Sequence, residues 1–172
     1  MSRRIVLVDG GSGAGKTTYA HDLAARMRAE GRRVRVVSLD DMYPGWYGLA
    51  AASAMVVDDV LAANHYRCWN WPEHRPAHRV DIDPDADLVV EGCGAITRES
   101  APLASHRVWL ELPAPERRAR ALARPDGDGY RPWWEVWAVQ EAEHWARNRP
   151  WELADEIIEP AADDPTPRPG SR

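Results

Sequence analysis

Lys16 is the only lysine among 22 basic residues, and it stands inside "GGSGAGKT", residues 10–17. The stretch fits G-x-x-x-x-G-K-[ST], with Gly10, Gly15, Lys16 and Thr17 at the fixed positions. Glycines at these places let backbone N–H groups wrap phosphate oxygens, and a helix N-terminus adds a positive field. Gly11, Ser12, Gly13, Ala14, Gly15, Lys16, Thr17 and Thr18 are therefore the expected nucleotide-binding residues. Lys16 reaches the β- and γ-phosphates of ATP, and the Thr17 hydroxyl goes to Mg²⁺. Downstream, "LDDMYPGWYG" (39–48) sets Asp40 and Asp41 before three aromatic rings, Tyr43, Trp46 and Tyr47. The carboxylates have three readings: a turn or helix cap, a water-mediated Mg²⁺ contact, or the group that orients and deprotonates an attacking hydroxyl. Glu91, in "VVEG" (89–92), ends an apolar run, where a buried carboxylate needs a partner and Mg²⁺ is the natural one.

The elements that must hold these groups are visible as patterns. Strands are predicted over 4–10, 33–40, 86–94, 106–113 and 154–160. A helix follows the glycine loop, with Ala20, Leu23, Ala24 and Met27 on one face, and stops at Gly31. Further helices are predicted over 52–65, 114–124 and from about Pro132 to Arg147. Residues 66–86 are polar and rich in Trp, His and Pro, and are expected to form a long functional loop. Residues 125–132 are expected to form a flexible loop, and 161–172 a disordered tail. Strands alternating with helices imply an α/β fold with a parallel sheet and helices on both faces. Ligands in such sheets lie at the carboxyl ends of the strands, where the glycine loop, the Asp pair and Glu91 all fall.

Length and composition narrow the classes. The 172 residues suit one domain, here 1–160. A net charge of −5 asks for neither bulk nucleic acid nor an anionic membrane as partner. The N-terminal apolar run is too short for a signal peptide or a membrane span, and Cys68 and Cys93 form no CxxC pattern. A cytoplasmic protein with free thiols is expected. Without a lysine beyond position 16 there is no Asn-Lys-x-Asp segment to read guanine, and no "LSGGQ" occurs. A small phosphotransferase fits best.

The sequence then resembles the uridine kinase group of P-loop kinases, with its phosphoribulokinase-like and pantothenate-kinase-like relatives. The matching pieces run in the same order over about residues 4–160. "GGSGAGKTT" resembles the phosphate loop. "SLDDMY" resembles a Ser-x-Asp-x-Phe-Tyr segment, and "NWPEHRP" (70–76) loosely resembles a nucleoside-contacting segment. "VVEG" resembles the metal-holding strand end, "RRARALAR" the lid helix and "ADEII" the last strand. Pro72 and Glu73 depart from the Asp-His of the nucleoside segment, with His74 one place later. The resemblance implies a five-stranded sheet in the order 2-3-1-4-5, with a helical lid over about 114–148. It implies catalysis by Asp40, and Mg²⁺ held by Thr17, Glu91 and Asp40.

Among the lid arginines, Arg117, Arg120 and Arg124 share one helical face, and Arg118 lies off it. Arg120, Arg124 and Arg131 are the expected phosphate contacts, since a planar guanidinium pairs two phosphate oxygens. Tyr43, Trp46, Tyr47, Trp69 and Trp71 could stack on a flat base. His74 belongs to the same side. In the Trp-rich helix, Glu141 and His144 interrupt an aromatic stripe and suggest a wet cleft on the substrate side. His65, Cys68, His74 and His78 match no standard zinc spacing. The expected activity is ATP- and Mg²⁺-dependent phosphorylation of a hydroxyl on a small molecule, most fittingly a nucleoside. A sugar phosphate, vitamin precursor or antibiotic acceptor is the alternative, with Arg67, Arg75 and Arg79 suiting an anionic one. A nucleotide-binding regulatory protein is the reading from a different class. A homodimer is compatible with all of them.

Overall fold

Short Val-, Ile- and Leu-rich runs bounded by Gly, Pro and Asp form the centre of the molecule, because both faces of such strands can be buried. The computed structural model describes residues 2–160. The expectation for the tail 161–172 lies outside the described residues. In chain order come β1 (Ile5–Gly10), α1 (Lys16–Ala29), β2 (Val34–Ser38), α2 (Leu49–Met55), β3 (His65–Asn70), β4 (Arg75–Asp81) and β5 (Asp87–Glu91). β6 (His106–Leu110), α3 (Ala114–Ala123), α4 (Gly127–Tyr130), α5 (Trp134–Asn148), α6 (Pro150–Leu153) and β7 (Glu156–Ile158) follow. The central sheet is parallel and ordered β2-β5-β1-β6-β7. Counting only its own strands, that is the expected order 2-3-1-4-5.

Alternation along the strands builds a core on each face. Val6 and Val8 of β1, with Val89 and Val108, pack against Ala20, Ala24 and Met27 of α1. Leu7, Leu88 and Val90 point the other way and meet Leu49, Ala52, Trp134 and Trp137 of α2 and α5. The result is three layers, helix on sheet on helix. Register then delivers chemistry: Glu91 lies beside Val8 in β1 and Ser38 in β2.

Four expectations change, the first being the loop expected over 125–132, which folds as α4 and a 3₁₀ turn over Arg131–Trp133 with Tyr130 buried. Residues 66–86 are not a loop: β3 and β4 form an antiparallel hairpin with Tyr66 opposite Val80 and Arg67 opposite Arg79. Only one face of this ribbon is covered, with Tyr66 buried and Arg67 exposed, so its polar composition concealed a strand alternation. The helix expected over 52–65 begins at Leu49 and continues past Met55 as π-helix to Ala62. The strand expected to reach Asp40 ends at Ser38, and Leu39–Asp41 forms a 3₁₀ turn. That turn lifts Asp40 off the sheet edge.

The end of the sheet opposite the glycine loop is closed by Asp87. Its carboxylate accepts from Arg32 Nη2 at 2.9 Å and from the Arg4 backbone N–H at 2.7 Å. The Arg32 hydrogen bond holds the Asp87 carboxyl below its ordinary value, against the opposing effect of burial. A depressed folded-state pKa contributes stability above the unfolded value and loses it as pH falls through the folded value. Asp87→Asn should therefore lower the melting temperature at neutral pH. The gap from the native chain should close in acid, as read by thermal denaturation across a pH series.

Candidate active site

The glycine loop leaves β1 and becomes the N-terminus of α1. Lys16 is buried, and its Nζ donates to the Gly11 carbonyl at 2.9 Å, folding the ammonium back over the loop. Burial pulls the Lys16 pKa down, while Cys93, Glu91, Glu141 and Asp9 pull it up; the acidic surroundings prevail and it stays charged. Gly15, Thr17 and Thr18 face the cleft and are exposed. Gly13 has φ +82°, and a Cβ there would lie 2.1 Å from the Arg117 carbonyl oxygen. Glycine is required at that position by both conformation and space.

Glu91 is 2% exposed. Its Oε1 accepts from Ser38 Oγ at 2.5 Å and from Thr17 Oγ1 at 3.1 Å. Burial, first, and the nearby Asp40 raise its pKa despite these bonds and Lys16. Asp40 is open to water but lies deep in the same concavity. Burial in the cleft wall raises its pKa, opposed by Lys16 and Arg124. The Asp40 carbonyl accepts from Trp71 Nε1 at 3.1 Å, so the turn of the β3–β4 hairpin fixes the peptide that carries the acid.

These groups share one cleft of about 1050 Å³. Its glycine-loop end is lined by Ser12, Gly13, Gly15, Lys16, Thr17 and Thr18, and its carboxylates are Asp40 and Glu91. Arg120 and Arg124, on α3 and at its C-terminal end, line it too, as do Tyr43, Trp46, Trp71 and Tyr130. The Trp46 ring is near-parallel to Tyr130 (5.6 Å, 10°) and to Trp133 (5.3 Å, 7°), and tilted against Trp71 at 4.9 Å. Tyr43 is 2% exposed; its hydroxyl donates to the Cys93 carbonyl at 2.8 Å and its ring meets the edge of Trp137. It backs the wall more than it forms the surface.

Other expected site residues lie elsewhere. Tyr47 is 74% exposed and borders a separate groove between α2 and α5. His74 sits exposed in the hairpin turn at φ +47° and does not line the cleft. Arg131 is exposed, with Asp128 at 3.7 Å. Arg67 donates to the Ala77 carbonyl, Arg75 pairs with Glu73, and Arg79 pairs with Asp81, all outside the cleft.

Glu141 and His144 do not make a wet cleft. Both are buried, and a buried polar group needs protein partners. Glu141 accepts from the Ser12 N–H at 2.5 Å and from Cys93 Sγ at 3.2 Å, with Arg117 Nη1 at 3.5 Å. His144 Nε2 lies 3.3 Å from Asp9 Oδ2, and its Nδ1 faces Asn148 Nδ2 at 3.0 Å. Asp9 also accepts the N–H groups of Gly10, Gly94 and Ile96. The polar side of α5 is therefore the splint that holds the end of β1 and the loop after β5.

Arg117 is likewise not on a basic phosphate-facing surface with Arg120 and Arg124. It is buried, donating to the Leu112 and Ser12 carbonyls at 2.9 and 3.2 Å, with its guanidinium 5.5 Å from the Trp145 ring. Sequence reasoning missed Ser38 and Tyr130 as site residues. Ser38 was signalled by its place in "SLDD" and by strand register, whereas Tyr130 carried no local signal.

No protein-family model matches the chain, and no curated protein matches it in sequence. Solved structures do match its shape. A "possible uridine kinase" from Bacillus stearothermophilus superposes with TM-score 0.62 at 18% identity, covering 92% of this chain and 90% of that one. A "putative fructose transport system kinase" from Silicibacter sp. TM1040 gives 0.55 at 20% identity, covering 91% and 90%. The shikimate kinase of Acinetobacter baumannii gives 0.50 at 17%, covering 94% and 86%. The likeness is one of fold, and the chain carries the fold of the P-loop small-molecule kinases.

Proposed function

We propose that this chain is an ATP-dependent phosphotransferase that moves the γ-phosphoryl group to a hydroxyl of a small molecule, most fittingly a nucleoside. The observation that carries the reading is the meeting of Lys16, Glu91 and Asp40 in one cleft whose far wall is aromatic. A binding protein would need the glycine loop but not two carboxylates of raised pKa beside it.

The residues present fit Mg²⁺. Thr17 Oγ1, Ser38 Oγ and the Glu91 carboxylate are hard oxygen donors already gathered together, and Asp40 opens into the same cleft. Thr17, Glu91 and Asp40 would hold the ion, which neutralises phosphate charge when bound. The chain's own residues do the rest. The loop N–H groups and Lys16 cradle the transferred phosphate. Asp40 aims the acceptor hydroxyl in line and takes its proton as the new O–P bond forms and the bond to ADP breaks. Asp40 is a weak base, so positioning counts for more than basicity in a loose transition state. Arg120 and Arg124 offset charge on the oxygens.

Trp46, Trp71 and Tyr130 offer apolar faces suited to a flat ring. The outward pairing of Arg67, Arg75 and Arg79 removes the support they lent to an anionic acceptor. Release of ADP from MgATP should therefore appear with nucleosides in a panel that also holds sugar phosphates and vitamin precursors. Silence with every nucleoside would sink the nucleoside assignment. Glu91→Gln should raise the Mg²⁺ concentration for half-maximal turnover about tenfold or more, since a hard cation loses an anionic ligand. Titrating Mg²⁺ at fixed ATP measures it. Among the described residues no helix is long and apolar enough to cross a membrane. We take the cytoplasm as the setting in which such a kinase works.

A further inference from the structure

Ser12 has all of its polar groups occupied by residues that follow β6. Its N–H donates to Glu141 of α5 at 2.5 Å, and its carbonyl accepts from Arg117 of α3 at 3.2 Å. Its hydroxyl accepts from the Tyr130 phenol, at the end of α4, at 2.9 Å. Two of these contacts are made by the buried splint behind the loop. The third differs in kind, because the Tyr130 ring is also part of the cleft wall: it lies near-parallel to Trp46, with the Arg124 guanidinium 5.9 Å from its centroid. One side chain thus touches the phosphate loop, the aromatic wall and Arg124.

We infer that Tyr130 is a positioning residue that couples the aromatic wall to the phosphate loop, so that acceptor and nucleotide bind interdependently. Protein interiors are close-packed, so a ring displaced by a molecule stacking on the wall cannot move without moving what it touches. Here the phenol hydrogen bond passes that motion to Ser12, which precedes Gly13, the left-handed glycine of the loop. Coupling of this kind is reciprocal: nucleotide that orders Ser12 also sets the wall. The identity of the two ligands rests on the kinase reading above; the link between wall and loop does not.

The test is a double-mutant cycle on the full chain with Trp46→Ala and Tyr130→Phe, the second of which keeps the ring and deletes the hydroxyl. Two quantities are read: the Kd for MgATP by calorimetry, and ligand-free hydrogen–deuterium exchange of the peptide spanning residues 10–18. Tyr130→Phe should raise the Kd about three- to tenfold, the scale of one hydrogen bond, while the melting temperature moves by less than about 4 °C. Trp46→Ala, on the proposed acceptor wall and joined to the loop through Tyr130, should weaken MgATP binding about threefold in the native chain and not at all in the Tyr130→Phe background. Exchange of the loop peptide should show the same non-additivity. If Trp46→Ala fails to fold, Trp46→Phe should give a smaller effect of the same sign. Additive changes in both readouts, with MgATP bound normally, overturn the coupling and leave the kinase reading standing. Non-additive exchange in a chain that binds no MgATP supports the coupling and overturns the kinase reading.

Discussion

Asp40→Asn is expected to keep MgATP binding within a few-fold of the native chain, since Thr17 and Glu91 still hold the ion, and to lose about 10²- to 10⁴-fold in turnover, the usual contribution of a positioned general base. The substitution keeps size and hydrogen-bonding shape. The Asp40 backbone stays fixed, because its carbonyl is held by Trp71 and not by its own side chain. What disappears is the acceptor for the hydroxyl proton and the charge that aims that hydroxyl. The loop, Lys16 and the Thr17–Glu91 pair are untouched, so nucleotide affinity should change little. Calorimetry with MgATP beside ADP release under saturating acceptor separates the two quantities. Near-native turnover would refute the role of Asp40, and a loss of MgATP binding as large as the loss of turnover would make holding the ion its main task and overturn the aiming of the hydroxyl.

Arg117→Ala should be the most damaging single change to stability. Arg117 and Glu141 form a buried ion pair with side chains 8% and 3% exposed, and removing the cation leaves the carboxylate without its charge partner. Breaking such a pair from one side costs about 3–5 kcal/mol. In a domain of this length that corresponds to a fall in melting temperature of roughly 6–20 °C. The same change frees the Ser12 and Leu112 carbonyls and empties the space under Trp145, so nucleotide binding should weaken as well. Urea denaturation and thermal melting measure the effect. Arg117→Lys, which keeps charge but not the planar fork, should fall between. An unaltered melting temperature in Arg117→Ala would show that the pair does not brace the loop.

The contrast between Arg117 and Arg120 shows where the sequence runs out. The two are three residues apart on α3, a spacing that puts them on one helical face. Their fates depend on what lies opposite each, and that is set by α5, more than twenty residues further along the chain. A glutamate at 141 cannot be recognised as the partner of a loop residue at 12 from spacing, because the two meet only once α5 packs behind the glycine loop. Tyr130 is lost for the same reason. The hairpin β3–β4 was hidden by composition: a two-stranded ribbon covered on one face has too few apolar residues to distinguish it from a loop.

The parts whose chemistry is local are legible from the residues alone. A glycine loop with Lys16 and Thr17 between a strand and a helix is readable because adjacent residues build it. Strand and helix alternation places Asp40 and Glu91 at the same end of the sheet, because parallel strands all expose their carboxyl ends on one side. Which side chains face the cleft and which brace it depends on long-range packing. It moved Glu141, His144 and Arg117 behind the phosphate loop, left Tyr47 and His74 outside, and brought Tyr130 in. The physical reason is that a buried charge must find its partner in space. In this fold those partners come from helices far along the chain.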